Sequence, residues 1–295
     1  MSHRWPWRRA LVTGASAGLG AAFARELAAG GAELVLVARN RERLEALARE
    51  LPVPCDVLVA DLADPADVAR VAARTAGGDR DGSPVDLLVN NAGFGTVGDF
   101  VDRPIEGEER QVAVNVVALQ RLTHAAGAAM VARGSGTILN VASVAGFRPA
   151  PRSATYGATK AFVVGFSRAV AAELAPRGVA VTCLCPGLTR TEFHQRAGYD
   201  TAGYPRWAWQ EASTVARAGL RGAAAGKVTV VPGVHNRMSG HLMRLLPDAV
   251  LRRADERLRP GTTLGEASGA TDTQHVSPPA ELQGTRRDPV PEGDR

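Results

Sequence analysis

The chain has 295 residues, enough for one large α/β domain with a substantial core. Its formal net charge is +5, but the arginines are scattered among acidic residues, which disfavours a nucleic-acid-binding module. Three cysteines are too few for a disulfide framework. The start of the chain leads straight into a strand without a signal sequence, and no apolar run could cross a bilayer, so we expect a cytoplasmic protein.

The first predicted elements are a short apolar strand at 10–13, a glycine-rich turn at 14–20 and a helix at 21–29. Backbone N–H groups at such a helix N-terminus point outward, and the helix dipole favours an anion such as phosphate. Gly14 permits the tight turn, Gly18 lets a phosphate approach the backbone, and Gly20 lets the helix pack against the sheet. A glycine-rich surface loop is the alternative, which the flanking strand and helix disfavour.

Strand and helix signals then alternate along the chain. Six further runs rich in Val, Leu and Ile are predicted strands, at 33–38, 56–60, 85–90, 136–141, 179–184 and 227–231. Longer alanine-rich stretches between them are predicted helices. This alternation predicts a doubly wound α/β Rossmann fold with a seven-stranded parallel sheet flanked by helices. Ligands in that fold bind beyond the carboxyl ends of the strands.

A tyrosine and a lysine four residues apart are the main chemical signal. Positions i and i+4 of a helix share a face, so the ammonium of Lys160 should lie beside the phenol of Tyr156. A neighbouring positive charge is expected to lower the phenol pKa from its usual value of about 10. Ser143, thirteen residues upstream of the tyrosine, could hold the carbonyl or alcohol oxygen of a substrate.

Two of the cysteines, Cys183 and Cys185, lie in one predicted strand, and we expect them to face opposite sides of the sheet. A metal pair needs more ligands nearby, and no His or Cys cluster supplies them. The sequence therefore predicts buried strand cysteines and no metal site.

The glycine turn and the Ser, Tyr and Lys residues together resemble the short-chain dehydrogenase/reductase family, from about residue 9 to about residue 259. Further motifs of that family follow in order. They are Asp61 after the third strand, Asn90-Asn91-Ala92-Gly93 after the fourth, Asn115 in a helix, and the PGxxxT motif from Pro186 to Thr191.

The resemblance implies a catalytic group made of Asn115, Ser143, Tyr156 and Lys160. It also implies a set of residues that bind a nicotinamide dinucleotide: Gly14, Ser16, Gly18, Leu19, Gly20, Arg39, Asn40, Asp61, Leu62, Asn91, Ala92, Gly93, Tyr156, Lys160, Pro186, Gly187, Leu188 and Thr191. In relatives the acidic residue after the third strand hydrogen-bonds the adenine, PGxxxT contacts the nicotinamide carboxamide, and the lysine holds the ribose hydroxyls.

The end of the second strand indicates which cofactor form is preferred. Enzymes that select NAD(H) usually place Asp or Glu there to bind the 2′-hydroxyl of the ribose. This chain has Arg39-Asn40 instead, and a guanidinium can bind a 2′-phosphate in bidentate fashion. We therefore predict a preference for NADP(H) over NAD(H). An unpaired surface arginine is the alternative, and Ala17 occupies a turn position where many NADP-using relatives carry a second basic residue.

The resemblance implies an oxidoreductase that reduces a carbonyl to an alcohol, or the reverse, with Tyr156 as general acid and base. Aromatic residues in a predicted lid at about 190–215 favour a hydrophobic ketone or a 3-oxoacyl-type substrate. A non-catalytic NAD(P)-binding sensor or scaffold is the alternative, and epimerisation or dehydration is a further one. Homodimers and homotetramers are usual in the family.

The last part of the chain is predicted to contain two segments. The catalytic domain is expected to span 1–259, with an extra C-terminal helix at about 238–259 that packs on its own domain or on a second subunit. Contact of that basic helix with a membrane surface is the less favoured alternative. Residues 260–295 have hardly any large apolar side chains, so we expect a disordered tail.

Overall fold

The computed structural model describes residues 5–77, 84–147, 149–201, 203–234 and 236. The predicted C-terminal helix at about 238–259 and the predicted tail at 260–295 lie outside these described residues.

Strands and helices alternate along the chain as predicted. The strands are β1 (Arg9–Thr13), β2 (Glu33–Ala38), β3 (Cys55–Val59), β4 (Leu87–Asn90), β5 (Gly136–Val141), β6 (Val179–Leu184), β7 (Thr189–Arg190), β8 (Gln210–Glu211) and β9 (Thr229–Val230). The α-helices are α1 (Gly18–Ala29), α2 (Arg41–Glu50), α3 (Pro65–Thr75), α4 (Ile105–Val112), α5 (Leu119–Ala132), α6 (Ala154–Leu174), α7 (Phe193–Arg196) and α8 (Ala212–Ala224).

Seven of the strands form one parallel sheet in the order β3-β2-β1-β4-β5-β6-β9. The predicted fold class is therefore confirmed. The chain runs from β1 outward to β3, then crosses back to place β4 on the other side of β1. The strand order reverses between β1 and β4, and an open parallel sheet has its ligand-binding crevice at such a point.

Alternate strand residues enter two separate hydrophobic cores. Ala10 and Val12 point to the face covered by α1 and α8, where Phe23 is fully buried. Leu11 points to the opposite face, which α3 and α5 cover with side chains such as Met130. Burial on both faces explains why these strands are apolar at every position rather than at every second one.

The predicted lid contains a small ribbon of its own. Strands β7 and β8 pair in parallel, Thr189 with Gln210 and Arg190 with Glu211, and so join the two ends of the segment. The predicted range extended to about residue 215, but α8 already begins at residue 212 and its Val215 is buried in the core. The segment predicted as a lid is therefore followed directly by α8 after β8.

The prediction that Cys183 and Cys185 face opposite sides of the sheet is wrong. Their Sγ atoms lie 3.7 Å apart, and both side chains are fully buried. Side chains of a strand alternate with a period of two, so residues i and i+2 share one face.

No helix in the described part of the chain is both long and apolar enough to span a membrane. Within the same residues, no three or more His, Cys, Asp or Glu side chains are grouped so that they could hold a metal ion.

Candidate active site

Most of the predicted site residues lie at the carboxyl-terminal edge of the sheet, because they follow the ends of strands. Residues 14–20 follow β1, residues 39–40 follow β2, residues 61–62 follow β3, residues 91–93 follow β4, Ser143 follows β5, and residues 186–191 follow β6. Parallel strands end at the same edge, so segments far apart in the sequence meet there.

The three glycines of the turn lie where the backbone is closely packed. Gly14 and Gly18 have φ values of +67° and +54°, a left-handed conformation that favours glycine. A Cβ atom on Gly20 would lie 2.1 Å from the carbonyl oxygen of Gly14. The start of α1 therefore rests directly on the turn.

The N-terminus of α1 suits an anion. Its N-cap residue is Ala17, no side chain of the described residues caps it, and its first turn has no acidic residue. The first N–H groups of a helix have no intrahelical partner, and the helix dipole adds positive potential there. Together with the bare glycine turn, these features fit the pyrophosphate of a dinucleotide.

Thr13 joins the glycine turn to the Asn-Asn-Ala-Gly turn. Its Oγ1 accepts hydrogen bonds of 3.0 Å from the backbone N–H groups of Asn91 and Ala92. The side-chain amide of Asn91 donates in return to the Thr13 carbonyl oxygen at 2.9 Å. The turns that follow β1 and β4 are thereby held side by side at the point where the strand order reverses.

Tyr156 and Lys160 lie on one face of α6, as their spacing predicts. The Lys160 Nζ is 5.7 Å from the centre of the Tyr156 ring and donates to the Val141 carbonyl oxygen at 2.9 Å. The Ser143 side chain is near enough to the Tyr156 hydroxyl to favour its phenolate, and the Ser143 Oγ accepts from the Ala145 N–H at 3.1 Å. Both Tyr156 and Lys160 are buried.

The acidity of the tyrosine differs from the sequence expectation. Burial raises the pKa of Tyr156 above its ordinary value, and the hydrogen bond from Ser143 offsets this only in part. Burial also lowers the pKa of Lys160 to about 8, because an ammonium loses its hydration in the same place. Desolvation, rather than the neighbouring cation, therefore controls the phenol in this arrangement, and Tyr156 carries its proton at neutral pH.

Asn115 lies in a single π-helical turn, residues 113–118, between α4 and α5. Its side-chain amide donates to the Phe94 carbonyl oxygen at 2.9 Å and to Thr159 Oγ1 at 3.1 Å. A Cβ on Gly93 would lie 2.9 Å from the Asn115 Oδ1 and 3.4 Å from the Lys160 Nζ. Asn115 and Lys160 therefore converge on one glycine. π-Helical turns within α-helices frequently occur at functional sites.

Asp61 is already paired with a cation. Its carboxylate forms an ion pair with Arg110 and accepts from the Ala63 N–H at 3.0 Å. Burial alone would raise the pKa of Asp61, but the hydrogen bonds from Ala63 and Arg110 lower it below its ordinary value. Arg39 is exposed and lies near enough to contribute to that lowering. The adenosine end of the predicted site thus has two arginines around one carboxylate.

The predicted lid segment contacts both halves of the predicted site. A Cβ on Gly18 would lie only 3.1 Å from the Thr191 Cβ, so the two segments are closely packed. Glu192 forms an ion pair of 3.1 Å with Arg43 at the start of α2. The Phe193 ring lies 5.5 Å from the Tyr156 ring. The lid thus spans from the glycine turn to the tyrosine.

A model of the short chain dehydrogenase family matches residues 8–201 of the sequence. The chain belongs to this family. It is 41% identical over 198 residues to the sulfoacetaldehyde reductase of Chromohalobacter salexigens, covering 65% of this chain and 76% of that protein.

Solved structures of the family match the whole fold. A short-chain dehydrogenase from Sphingobium yanoikuyae in complex with NADPH has a TM-score of 0.72 and 36% identity, covering 87% of this chain and 98% of that one. The bulky-bulky ketone specific alcohol dehydrogenase from Comamonas testosteroni has a TM-score of 0.69 and 32% identity, covering 86% and 96%. The protein is therefore a short-chain oxidoreductase of a family that uses NAD(P).

Some residues that shape this short-chain dehydrogenase site carry no sequence signal. Asn236 lies so close to Gly187 that a Cβ there would come within 2.4 Å of its Oδ1, and its amide donates to the Pro232 carbonyl oxygen at 2.8 Å. Thr13 ends an apolar strand, and Arg110 is one of many helix-surface arginines. Nothing in spacing or residue type distinguishes these three, because their partners are distant in sequence.

His194 lies within an aromatic cluster of the lid. The centre of its ring is 5.5 Å from that of Phe193, 5.9 Å from that of Tyr199 and 5.0 Å from that of Trp209. Its Nδ1 is buried and has no hydrogen-bond partner among the described residues. Burial lowers the pKa of His194 below its ordinary value, because the surrounding rings displace the water that would hydrate an imidazolium.

Acidification is therefore expected to loosen the lid. With the pKa of His194 lowered in the closed lid, its contribution to closure is complete above the ordinary pKa of about 6.5 and is lost as the pH falls below it. We expect trypsin cleavage after the exposed Arg196 to accelerate from about pH 7 to about pH 5.5. The His194→Gln variant, measured at the same pH values, corrects for the pH dependence of trypsin. Identical pH profiles in the two proteins would contradict this role.

Proposed function

We propose that the protein is an NADP(H)-dependent oxidoreductase that interconverts a carbonyl compound and an alcohol, with Tyr156 as its proton donor and acceptor. The observation that carries the proposal is that Tyr156 is buried with the Lys160 Nζ 5.7 Å from its ring centre and with the Ser143 side chain near its hydroxyl. A general acid, a hydrogen-bond donor for the reacting oxygen and a fixed positive charge thus meet at one place.

The nicotinamide cofactor, when bound, supplies the hydride in reduction and takes it up in oxidation. Its phosphates would be held by the glycine turn and the start of α1, and its ribose and carboxamide by Lys160 and residues 186–191. The assignment of the phosphates rests on the closely packed turn and the uncapped start of α1. The assignments of Lys160 and of residues 186–191 rest on the resemblance to the family.

Side chains of the protein donate the proton to the substrate oxygen and accept it back. In reduction the Tyr156 hydroxyl gives its proton to the carbonyl oxygen while Ser143 hydrogen-bonds the same oxygen. The resulting phenolate is stabilised by Lys160, whose pKa of about 8 leaves it mostly charged at neutral pH. Lys160 would return a proton to the tyrosine, and Asn115, which converges with it on Gly93, would order a water that links Lys160 to solvent. In oxidation the same residues act in the reverse order.

The preference for NADP(H) is proposed from the end of β2. Residues 38–40 are Ala-Arg-Asn and include no carboxylate, while Arg39 is exposed there. The Asn40 side chain is used as the N-cap of α2, accepting from the Arg43 N–H at 2.8 Å. The guanidinium of Arg39 is thus the group at this strand end suited to a 2′-phosphate. The NADPH bound to the Sphingobium yanoikuyae relative agrees with this preference.

The aromatic side chains of the lid support the proposal that the substrate is hydrophobic, either a ketone or a 3-oxoacyl compound. Phe193 packs against Tyr156, and Tyr199 and Trp209 surround His194 behind it, so the wall nearest the tyrosine is aromatic. Aromatic walls of this kind bind apolar groups next to a few polar ones. The Comamonas testosteroni relative is specific for bulky ketones, which agrees with the proposal of a hydrophobic substrate.

We also propose that the protein is a homodimer or a homotetramer, as the family resemblance implies. Phe162 and Phe166 stack on α6 with 5.4 Å between ring centres, and Phe162 is exposed in the single chain. A second subunit would cover that ring.

The proposed reaction is tested by following NADPH consumption with hydrophobic ketones, aldehydes and 3-oxoacyl thioesters, and by repeating the assay with NADH. We expect turnover of at least one hydrophobic ketone or 3-oxoacyl thioester, faster with NADPH. NADPH that raises the melting temperature without any turnover would indicate a sensor or scaffold and overturn the proposal. Failure of both nucleotides to stabilise the protein would overturn it as well.

A further inference from the structure

The ion pair between Arg110 and Asp61 joins helix α4 to the turn that follows β3. The Asp61 Oδ2 accepts from the Arg110 guanidinium, and the Asp61 Oδ1 accepts from the Ala63 N–H at 3.0 Å. A carboxylate oxygen has two acceptor positions, so each of these oxygens can accept one more hydrogen bond. Arg110 therefore neutralises the charge of Asp61 and still leaves acceptor positions for the adenine contact that the family resemblance implies.

Asp61 and Arg39 follow the ends of neighbouring strands. The Ala60 N–H donates to the Ala38 carbonyl oxygen at 3.0 Å, and Asp61 and Arg39 are the next residues of these two segments. Neighbouring strands lie about 5 Å apart, so both side chains start from adjacent points of the sheet edge. Burial raises the pKa of Asp61, and the charge of Arg39 is among the effects that lower it. A 2′-phosphate bound by Arg39 would therefore lie near enough to Asp61 to be repelled by an uncompensated carboxylate.

A second carboxylate at this turn has a cation of its own. The Asp67 Oδ2 accepts from the Asp61 N–H at 2.7 Å, and the Asp67 Oδ1 forms an ion pair of 2.6 Å with Arg70. The group formed by Arg39, Arg110 and Asp61 carries one net positive charge. Without Arg110, Asp61 would cancel the charge of Arg39, and this group would no longer attract a phosphate.

We propose that Arg110 is a positioning residue that sets cofactor specificity: its guanidinium neutralises Asp61, so that the 2′-phosphate of NADP(H) can bind to Arg39 beside that carboxylate. This inference rests on the proposed preference for NADP(H). NAD(H) carries a neutral 2′-hydroxyl at the same position, so its binding depends little on the charge of Arg110. Arg110 therefore contributes to the choice between the two cofactors rather than to nucleotide binding in general.

The test compares the dissociation constants of NADPH and NADH, measured by fluorescence titration of the full-length protein. We expect Arg110→Gln to weaken NADPH binding by about 5-fold, equivalent to about 1 kcal/mol, and to leave NADH binding within about 2-fold. Arg110→Lys keeps the positive charge and should restore most of the NADPH affinity. Equal losses for both nucleotides in Arg110→Gln, or a loss in Arg110→Lys as large as in Arg110→Gln, would overturn the proposal.

Arg25→Gln is the matched control for the removal of one guanidinium from an exposed ion pair. Arg25 pairs at 2.7 Å with Glu50, the last residue of α2, at the end of that helix remote from Arg39. This variant loses the same charge, so it should leave the ratio of the two dissociation constants unchanged. The same change of ratio in Arg25→Gln and Arg110→Gln would overturn the proposal, because it would reflect net charge alone.

A second background separates neutralisation of Asp61 from a direct contact between Arg110 and the nucleotide. Asp61→Asn removes the negative charge and keeps a side-chain oxygen as acceptor. In this background we expect Arg110→Gln to change NADPH affinity by less than about 2-fold, because no carboxylate is left to neutralise. A loss as large as in the wild-type background would show that Arg110 acts on the nucleotide itself and would overturn the proposal.

The two levels of the hypothesis fail differently. A wild-type protein with equal affinity for NADPH and NADH would overturn the proposed cofactor preference and this inference together. A clear preference for NADPH that is equally strong in the wild type and in Arg110→Gln would overturn this inference alone.

Discussion

Replacing Tyr156 with phenylalanine is expected to reduce turnover by about 10³-fold, because a positioned general acid contributes roughly 10²–10⁴-fold to such a reaction. The variant keeps the ring that packs against Phe193 and beside Gly95, so the lid and the fold should be unaffected. The buried hydroxyl that is lost bonds to Ser143, which retains its hydrogen bond from the Ala145 N–H. NADPH affinity, measured by fluorescence titration, should therefore stay close to that of the wild type.

Tyr204→Phe serves as the matched control for this substitution. Tyr204 is in the lid and exposed, so removing its hydroxyl should leave kcat near the wild-type value. A Tyr156→Phe variant with wild-type kcat would refute the assignment of the proton donor. Loss of NADPH binding together with turnover would show instead that the phenol supports the cofactor site.

Replacing Arg39 with aspartate is expected to weaken NADPH binding by at least about 30-fold, because a charge-assisted hydrogen bond contributes about 2 kcal/mol and the new carboxylate repels the 2′-phosphate. NADH affinity should hold or rise, since a carboxylate at the end of β2 can bind the ribose 2′-hydroxyl. Arg39 is exposed at a strand end, so the exchange should leave the core intact. Dissociation constants for both nucleotides give the ratio directly.

The Arg49→Asp variant is the control, because it changes the net charge by the same amount as Arg39→Asp. Arg49 is exposed in the last turn of α2, the helix that follows Arg39, about 12 Å along the axis from the start of that helix. If the effect of Arg39 is local, only the Arg39 variant should change the NADPH to NADH ratio. Equal losses in both variants would indicate a general effect of net charge, and no loss in either would remove Arg39 from the cofactor site.

The state of Tyr156 shows why residue spacing alone does not give a pKa. The four-residue spacing correctly predicts that Lys160 lies on the same helix face. It does not predict that Phe193, almost forty residues later, packs against the phenol and helps to remove it from water. Desolvation therefore exceeds the effect of the lysine, and the tyrosine begins reduction with its proton in place.

The sequence by itself determined the alternation of strands and helices, the bare glycine turn and the helical pairing of Tyr156 with Lys160. These features depend on local periodicity, on backbone freedom and on neighbours within one helical turn, all of which are written in consecutive residues. The exact lid boundary, the shared face of Cys183 and Cys185 in the core, and the hydrogen bonds of Thr13 were decided only by the tertiary structure.

The ion pair of Arg110 with Asp61, beside Arg39, belongs to that second group. The three residues come from α4, the turn after β3 and the end of β2, segments separated by up to about seventy residues. No periodicity relates them, because the sheet brings the two strand ends together and α4 reaches them from a distant part of the chain. Residue types and local spacing identify the chemistry, whereas the charge that a cofactor meets follows from partners that only the folded chain brings into contact.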